Sequence, residues 1–187
     1  MSVSSSNLVV YTAWFMPEDN SSTAGGGINS GIRATFEDPT TPATIKFTST
    51  SSSDSQDILL TGRSSEGAII SETVTMPGVA DTPVTSSNTY ERILKCIVDT
   101  TAAVGTITVS GTSEDEKVTD IPPTESGFRR PFYDATADAV STETYYEKIF
   151  VMNTNSSSTL NNATLKEISN GLYNKVDFGL ESTKNNI

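Results

Sequence analysis

Histidine is absent from this 187-residue chain, which removes the commonest general base and the commonest transition-metal ligand together. A Ser-His-Asp mechanism is therefore excluded, and no Ser-x-x-Lys spacing occurs to support a lysine-assisted serine. Cysteine is nearly absent as well. The single thiol, Cys96, permits no intramolecular disulfide, and its setting in Arg92-Ile93-Leu94-Lys95-Cys96-Ile97-Val98 is that of a buried, inert strand residue. Positive charge is scarce: 12 Lys and Arg stand against 23 Asp and Glu, a formal net charge of −11. Such a balance repels a phosphate backbone, so no nucleic-acid partner is expected. Long apolar runs are missing too. Ile58-Leu59-Leu60 is far too short to span a bilayer, and no basic-then-apolar segment opens the chain, so neither a membrane partner nor secretion is expected.

What is present is strand-forming sequence. Serine and threonine are conspicuously common while charged residues make up only 19%, the composition of β-proteins with hydroxyl-covered outer faces. Period-two alternation marks half-buried strands at Thr44–Thr48, where Ile45 and Phe47 share a face, at Gly105–Ser110, where Ile107 and Val109 do, and at Lys175–Leu180. Turn signals lie between them at Ser64-Ser65-Glu66-Gly67, Met76-Pro77-Gly78 and Asn170-Gly171; the last predicts a hairpin of strands near 163–168 and 172–180. Residues 162–169 also contain helix-favouring side chains, and strand is the preferred reading there. The expected fold is all-β: an antiparallel β-sandwich, Ig-like or jelly-roll-like, with long irregular loops. We expect an N-terminal strand and long loop over 1–42, a central sandwich over 43–119, a connector over 120–143, and C-terminal strands over 144–187 that complete the same body.

The chemical candidates are weak. Gly25-Gly26-Gly27 lacks the strand, helix and lysine of a phosphate-cradling loop and reads as an ordinary loop. Glu114, Asp115, Glu116 and Asp120 offer oxygen ligands for calcium, but the spacing matches no EF-hand and the run reads as a solvated turn. With 23 acidic residues, a carboxylate pair for glycoside hydrolysis is always imaginable and therefore uninformative. No catalytic residue, metal site or cofactor is expected.

Two aromatic clusters stand out. In Tyr145–Met152, Ile149 and Val151 occupy one face while Tyr146, Phe150 and Met152 occupy the other, so both faces are apolar. Such a strand is either central to a sandwich, the preferred reading, or has one face covered by another chain. In Phe128-Arg129-Arg130-Pro131-Phe132-Tyr133, two of the chain's five arginines sit among aromatics. These residue types concentrate at the energetic centres of interfaces, but the arginines can equally pair with the protein's own carboxylates. The candidate subunit-interface residues are therefore Phe128, Arg129, Arg130, Phe132, Tyr133, Tyr146, Phe150 and Met152. Trp14, Tyr133 and Tyr145 are candidates for a stacking platform in an alternative, glycan- or receptor-binding reading.

The cadence of Ser49–Arg63, with its serine-rich entry and Asp54, followed by Glu66-Gly67, Ser71-Glu72-Thr73-Val74-Thr75-Met76-Pro77-Gly78, Tyr90–Lys95, Gly105–Val109 and Tyr146–Asn155, resembles β-sandwich virion structural proteins of tailed bacteriophages. The matching positions are scaffold residues, and no family site residues carry over. What the resemblance implies is a non-enzymatic capsid decoration, cement or minor capsid protein located in the virion after assembly in the host cytoplasm. Its partners would be the major capsid protein or other virion subunits, and it would be a homo-oligomer or lattice-bound. A tail or head-tail junction component is the nearest alternative.

Overall fold

A computed structural model describes residues 3–15, 26–35, 37–113, 116–133 and 145–160. The expected hairpin and strands beyond residue 160, and the 162–169 segment, lie outside the described residues. Among those described, a 3₁₀ turn at Ser5–Asn7 is followed by eleven strands: β1 (Leu8–Ala13), β2 (Ile28–Ala34), β3 (Ala43–Ser49), β4 (Asp57–Arg63), β5 (Ile69–Thr75), β6 (Val84–Tyr90), β7 (Arg92–Val98), β8 (Ile107–Gly111), β9 (Lys117–Ile121), β10 (Gly127–Arg129) and β11 (Ile149–Asn153). No α-helix forms among these residues. They make a seven-stranded sheet, ordered β11-β1-β2-β10-β7-β4-β5, and a four-stranded sheet, ordered β6-β3-β8-β9. Every pairing is antiparallel except β2 with β10. The fold is an all-β, antiparallel β-sandwich, as the alternation predicts.

The alternation becomes a core because one sheet's inner side chains face the other's. In β3, Ala43, Ile45, Phe47 and Ser49 are buried and the residues between them are not. They meet Ile58 and Leu60 of β4, Cys96 and Val98 of β7, Ile107 and Val109 of β8, and Phe128 of β10. Each such large apolar side chain contributes about 1.5–3 kcal/mol on leaving water. The Ser64–Gly67 signal makes the β4–β5 turn, with the Ser64 N–H donating to the Ala68 carbonyl and Gly67 at φ 81°. Met76-Pro77-Gly78 instead starts the crossing from the large sheet to the small one. The stretch 120–143, read as a connector, supplies β10, which is inserted between β2 and β7.

Three carboxylates fasten the loops and edges. Asp54, 1% exposed, accepts hydrogen bonds from Ser49 Oγ at 2.5 Å, Gln56 Nε2 at 2.9 Å, the Val104 N–H at 2.8 Å and the Gly105 N–H at 3.0 Å, tying the β3–β4 loop to the β7–β8 loop. Burial pushes its pKa up, but the donors outweigh burial and hold the carboxyl below the usual range. Glu72 on β5 accepts from the Ser87 and Asn88 N–H groups of β6 and from Tyr90 Oη, clasping the adjacent edges of the two sheets. These donors likewise overcome burial and lower its pKa, while burial and Glu72 raise that of Tyr90. Glu125 accepts from Tyr11 Oη and from Arg33 Nε and Nη2, which joins β1 and β2 to the β9–β10 turn.

Candidate interaction surface

The two sheets differ in width, so β11, β1 and β2 extend to one side as a wing. The wing carries much of the exposed apolar surface. Trp14 and Phe15, at the end of β1, are 53% and 66% exposed, and Leu8 at its start is also exposed. The Trp14 N–H donates to the Gly27 carbonyl, and Gly26, at φ 68°, lies beneath the Phe15 ring. Local structure explains the display: β1 ends at Ala13, and the chain bends at Trp14 and Phe15 instead of continuing the strand, whose last three residues are buried.

β11 is the outermost described strand of the wing, paired with β1 through Leu8 opposite Asn153 and Thr12 opposite Ile149. Among the described residues it therefore lies at the edge of the sheet, whereas its two apolar faces suggest a central strand. Phe150 is half-buried, whereas Tyr146, Ile149, Val151 and Met152 are exposed, Val151 the most at 55%.

The other cluster is largely absorbed by the fold. Phe128 lies opposite Cys96 and is 1% exposed, part of the inter-sheet core. Arg129 lies opposite Lys95, and both cations sit over the Tyr133 ring, at 5.7 and 5.3 Å from its centroid. Arg129 Nη2 donates to the Ala13 carbonyl at 2.6 Å. Its buried Nε has no hydrogen-bond acceptor among the described residues. Arg130 pairs with Asp38 at 2.5 Å and donates to the Ile93 carbonyl, while Asp38 accepts the Ile93 N–H. Local carboxylate pairing thus accounts for Arg130. Phe132, at φ 55°, is exposed, and its N–H donates to Glu147, which brings the two aromatic clusters into contact. Tyr145 and Tyr133 are half-buried, so of the three stacking candidates Trp14 offers the open ring.

Sequence reasoning missed Phe15, Leu8 and the outward role of Ile149 and Val151 as display positions. For Phe15 the available signal was its place in an apolar pair close before the polar run Pro17-Glu18-Asp19-Asn20. Among the described residues no group of three or more His, Cys, Asp or Glu is placed to hold a metal ion. Glu114 and Asp115 lie outside the described residues; Glu116 accepts from Thr40, and Asp120 pairs with Lys117. The concavity lined by Pro39, Thr40, Gly111 and Glu116 has room for about one water molecule. Cys96 is fully buried, and burial pushes its thiol pKa up. No family model, curated protein or solved structure matches the chain.

Proposed function

We propose that this protein is a non-enzymatic structural subunit of a tailed-phage virion, a capsid decoration, cement or minor capsid protein that works by contact. The observation that carries the reading is the concentration of exposed Leu8, Trp14, Phe15, Ile149, Val151 and Met152 on one wing of a rigid sandwich. Exposed apolar surface of that extent marks an interaction face. Meanwhile the buried carboxylates Asp54 and Glu125, and the half-buried Glu72, are engaged in holding loops and edges. The virion assignment itself rests on the strand-and-turn cadence from Ser49 to Asn155.

Quantitative mass spectrometry of purified particles tests the assignment: copy numbers comparable to the major capsid protein are expected, a dozen or so would move the chain to the tail or head-tail junction, and absence refutes a virion role. Purified chain should also bind shells lacking it. Trp14→Ala with Phe15→Ala should weaken that binding at least tenfold while lowering stability by no more than about 1–2 kcal/mol, since more than half of each residue's surface is already in water. A second reading, adhesion to a glycan or receptor, draws on the open Trp14 ring as a stacking platform; a glycan array showing no binding removes it.

A further inference from the structure

We propose that Lys95, Arg129 and Tyr133 form a site, on the outer face of the seven-stranded sheet, for a ligand bearing a carboxylate. The site lies outside the proposed function and does not depend on it.

Strand register creates the pair of cations. Phe128 and Cys96 lie opposite each other and point into the core, so alternation turns the next pair, Arg129 and Lys95, to the outside of the sandwich. Side chains directly opposite on neighbouring strands stand with Cβ atoms about 4.5–5.5 Å apart, and like charges placed there repel. The Tyr133 ring relieves part of that repulsion by taking both cations, Lys95 Nζ at 5.3 Å and the Arg129 guanidinium carbon at 5.7 Å from its centroid. The sheet itself sets no acid beside them. The same cross-strand row continues through Thr61 and Ser71 on one side and Ala34 on the other.

That lack of an acid is unusual in a chain with 23 acidic residues for 12 basic ones. Arg33 is paired with Glu125, Arg92 and Arg130 with Asp38, and Lys117 with Asp120. Among the described residues, Lys95 and Arg129 have no such carboxylate. Arg129 is also held in place, because its Nη2 donates to the Ala13 carbonyl at 2.6 Å. Its Nε–H is buried and finds no acceptor among the described residues. A buried donor without an acceptor is rare and destabilising, and a charged donor beside a second cation is satisfied most strongly by an anionic oxygen. Both residues keep part of their surface in solvent, which leaves a path of approach.

The ligand's charge follows from the whole chain. A net charge of −11 repels every negative charge that approaches, so a monoanionic carboxylate is favoured over a doubly charged phosphate. At about 0.15 M salt, charges beyond about 8 Å are largely screened, and the two cations dominate at contact.

Arginine Nε–H resonances read the site in the intact protein. With acetate replacing chloride at constant ionic strength, the Arg129 Nε–H signal should shift saturably. It should do so at lower acetate concentration than the signal of Arg63, a guanidinium engaged with the Gly67 carbonyl. Inorganic phosphate should bind more weakly than acetate, and acetamide, the uncharged analogue, at least about tenfold more weakly. Lys95→Gln should raise the acetate concentration for half-saturation about tenfold, the effect of one charge-assisted hydrogen bond. The same variant should keep or raise the urea midpoint of unfolding, since it removes a like-charge pair. An Arg129 signal that responds no more readily than that of Arg63 overturns the proposal. So does an Nε–H already shifted downfield and unmoved by acetate, because a carboxylate of the chain itself then fills the site. Acetamide or phosphate binding as tightly as acetate, or acetate binding undiminished in Lys95→Gln, overturns it as well.

Discussion

Replacing Asp54 should be among the most damaging single changes to a carboxylate. The residue is 1% exposed and accepts four hydrogen bonds, two of them from the Val104 and Gly105 N–H groups. Asp54→Ala leaves those donors enclosed without partners, and each such group costs about 1–3 kcal/mol. A total loss of about 3–5 kcal/mol is expected, with Asp54→Asn at about 2–3 kcal/mol because an amide oxygen retains part of the acceptor capacity. The pH dependence provides the sharper check. The folded carboxyl titrates below its unfolded value, so its ionised form stabilises the fold at neutral pH, and that contribution is lost as pH falls from the unfolded value through the lower folded one. Urea unfolding along a descending pH series from pH 7 should therefore show the difference between wild type and Asp54→Asn narrowing in acid, as the wild-type side chain takes up its proton. A difference below about 0.5 kcal/mol at pH 7, or one that does not change with pH, refutes the reasoning.

Gly127→Ala should cost about 3–5 kcal/mol in thermal or urea unfolding, because φ at this residue is 140° and a Cβ would fall on the Cys96 carbonyl oxygen; near-native stability would mean that β10 does not insert against β7 as described. Native Cys96 should resist alkylation until denaturant is added, and Cys96→Ser should lose about 1–2 kcal/mol by placing a hydroxyl among apolar neighbours; rapid labelling of the folded chain would contradict the strand-core placement.

The body of the sandwich was legible because its signals are local. Ile45 and Phe47, or Ile107 and Val109, declare an inner face within five residues, and Ser64–Gly67 declares the turn that follows β4. The position of a strand within a sheet is not local information. The two apolar faces of Ile149–Asn153 suggested a central strand, but pairing with Leu8–Thr12, distant in sequence, leaves it outermost among the described strands. The carboxylate fastenings were hidden for the same reason: Asp54 meets Val104 and Gly105, Glu125 meets Tyr11 and Arg33, and Asp38 meets Arg130. The 128–133 cluster looked adhesive because composition does not reveal that Phe128 turns inward and that Asp38 claims Arg130. Trp14, a stacking candidate on its sequence, is exposed, whereas Phe15 beside it, exposed as well, was passed over.

The clasp at Glu72 also bears on how far self-association can run. A sheet open at both ends can add copies without limit, which is how edge-to-edge growth becomes fibrous. Here the carboxylate engages two N–H groups of β6 and holds β5 against it, which leaves fewer main-chain donors on that side for an incoming strand. The clasp therefore acts against edge-to-edge growth there and favours contacts made by side chains and loops.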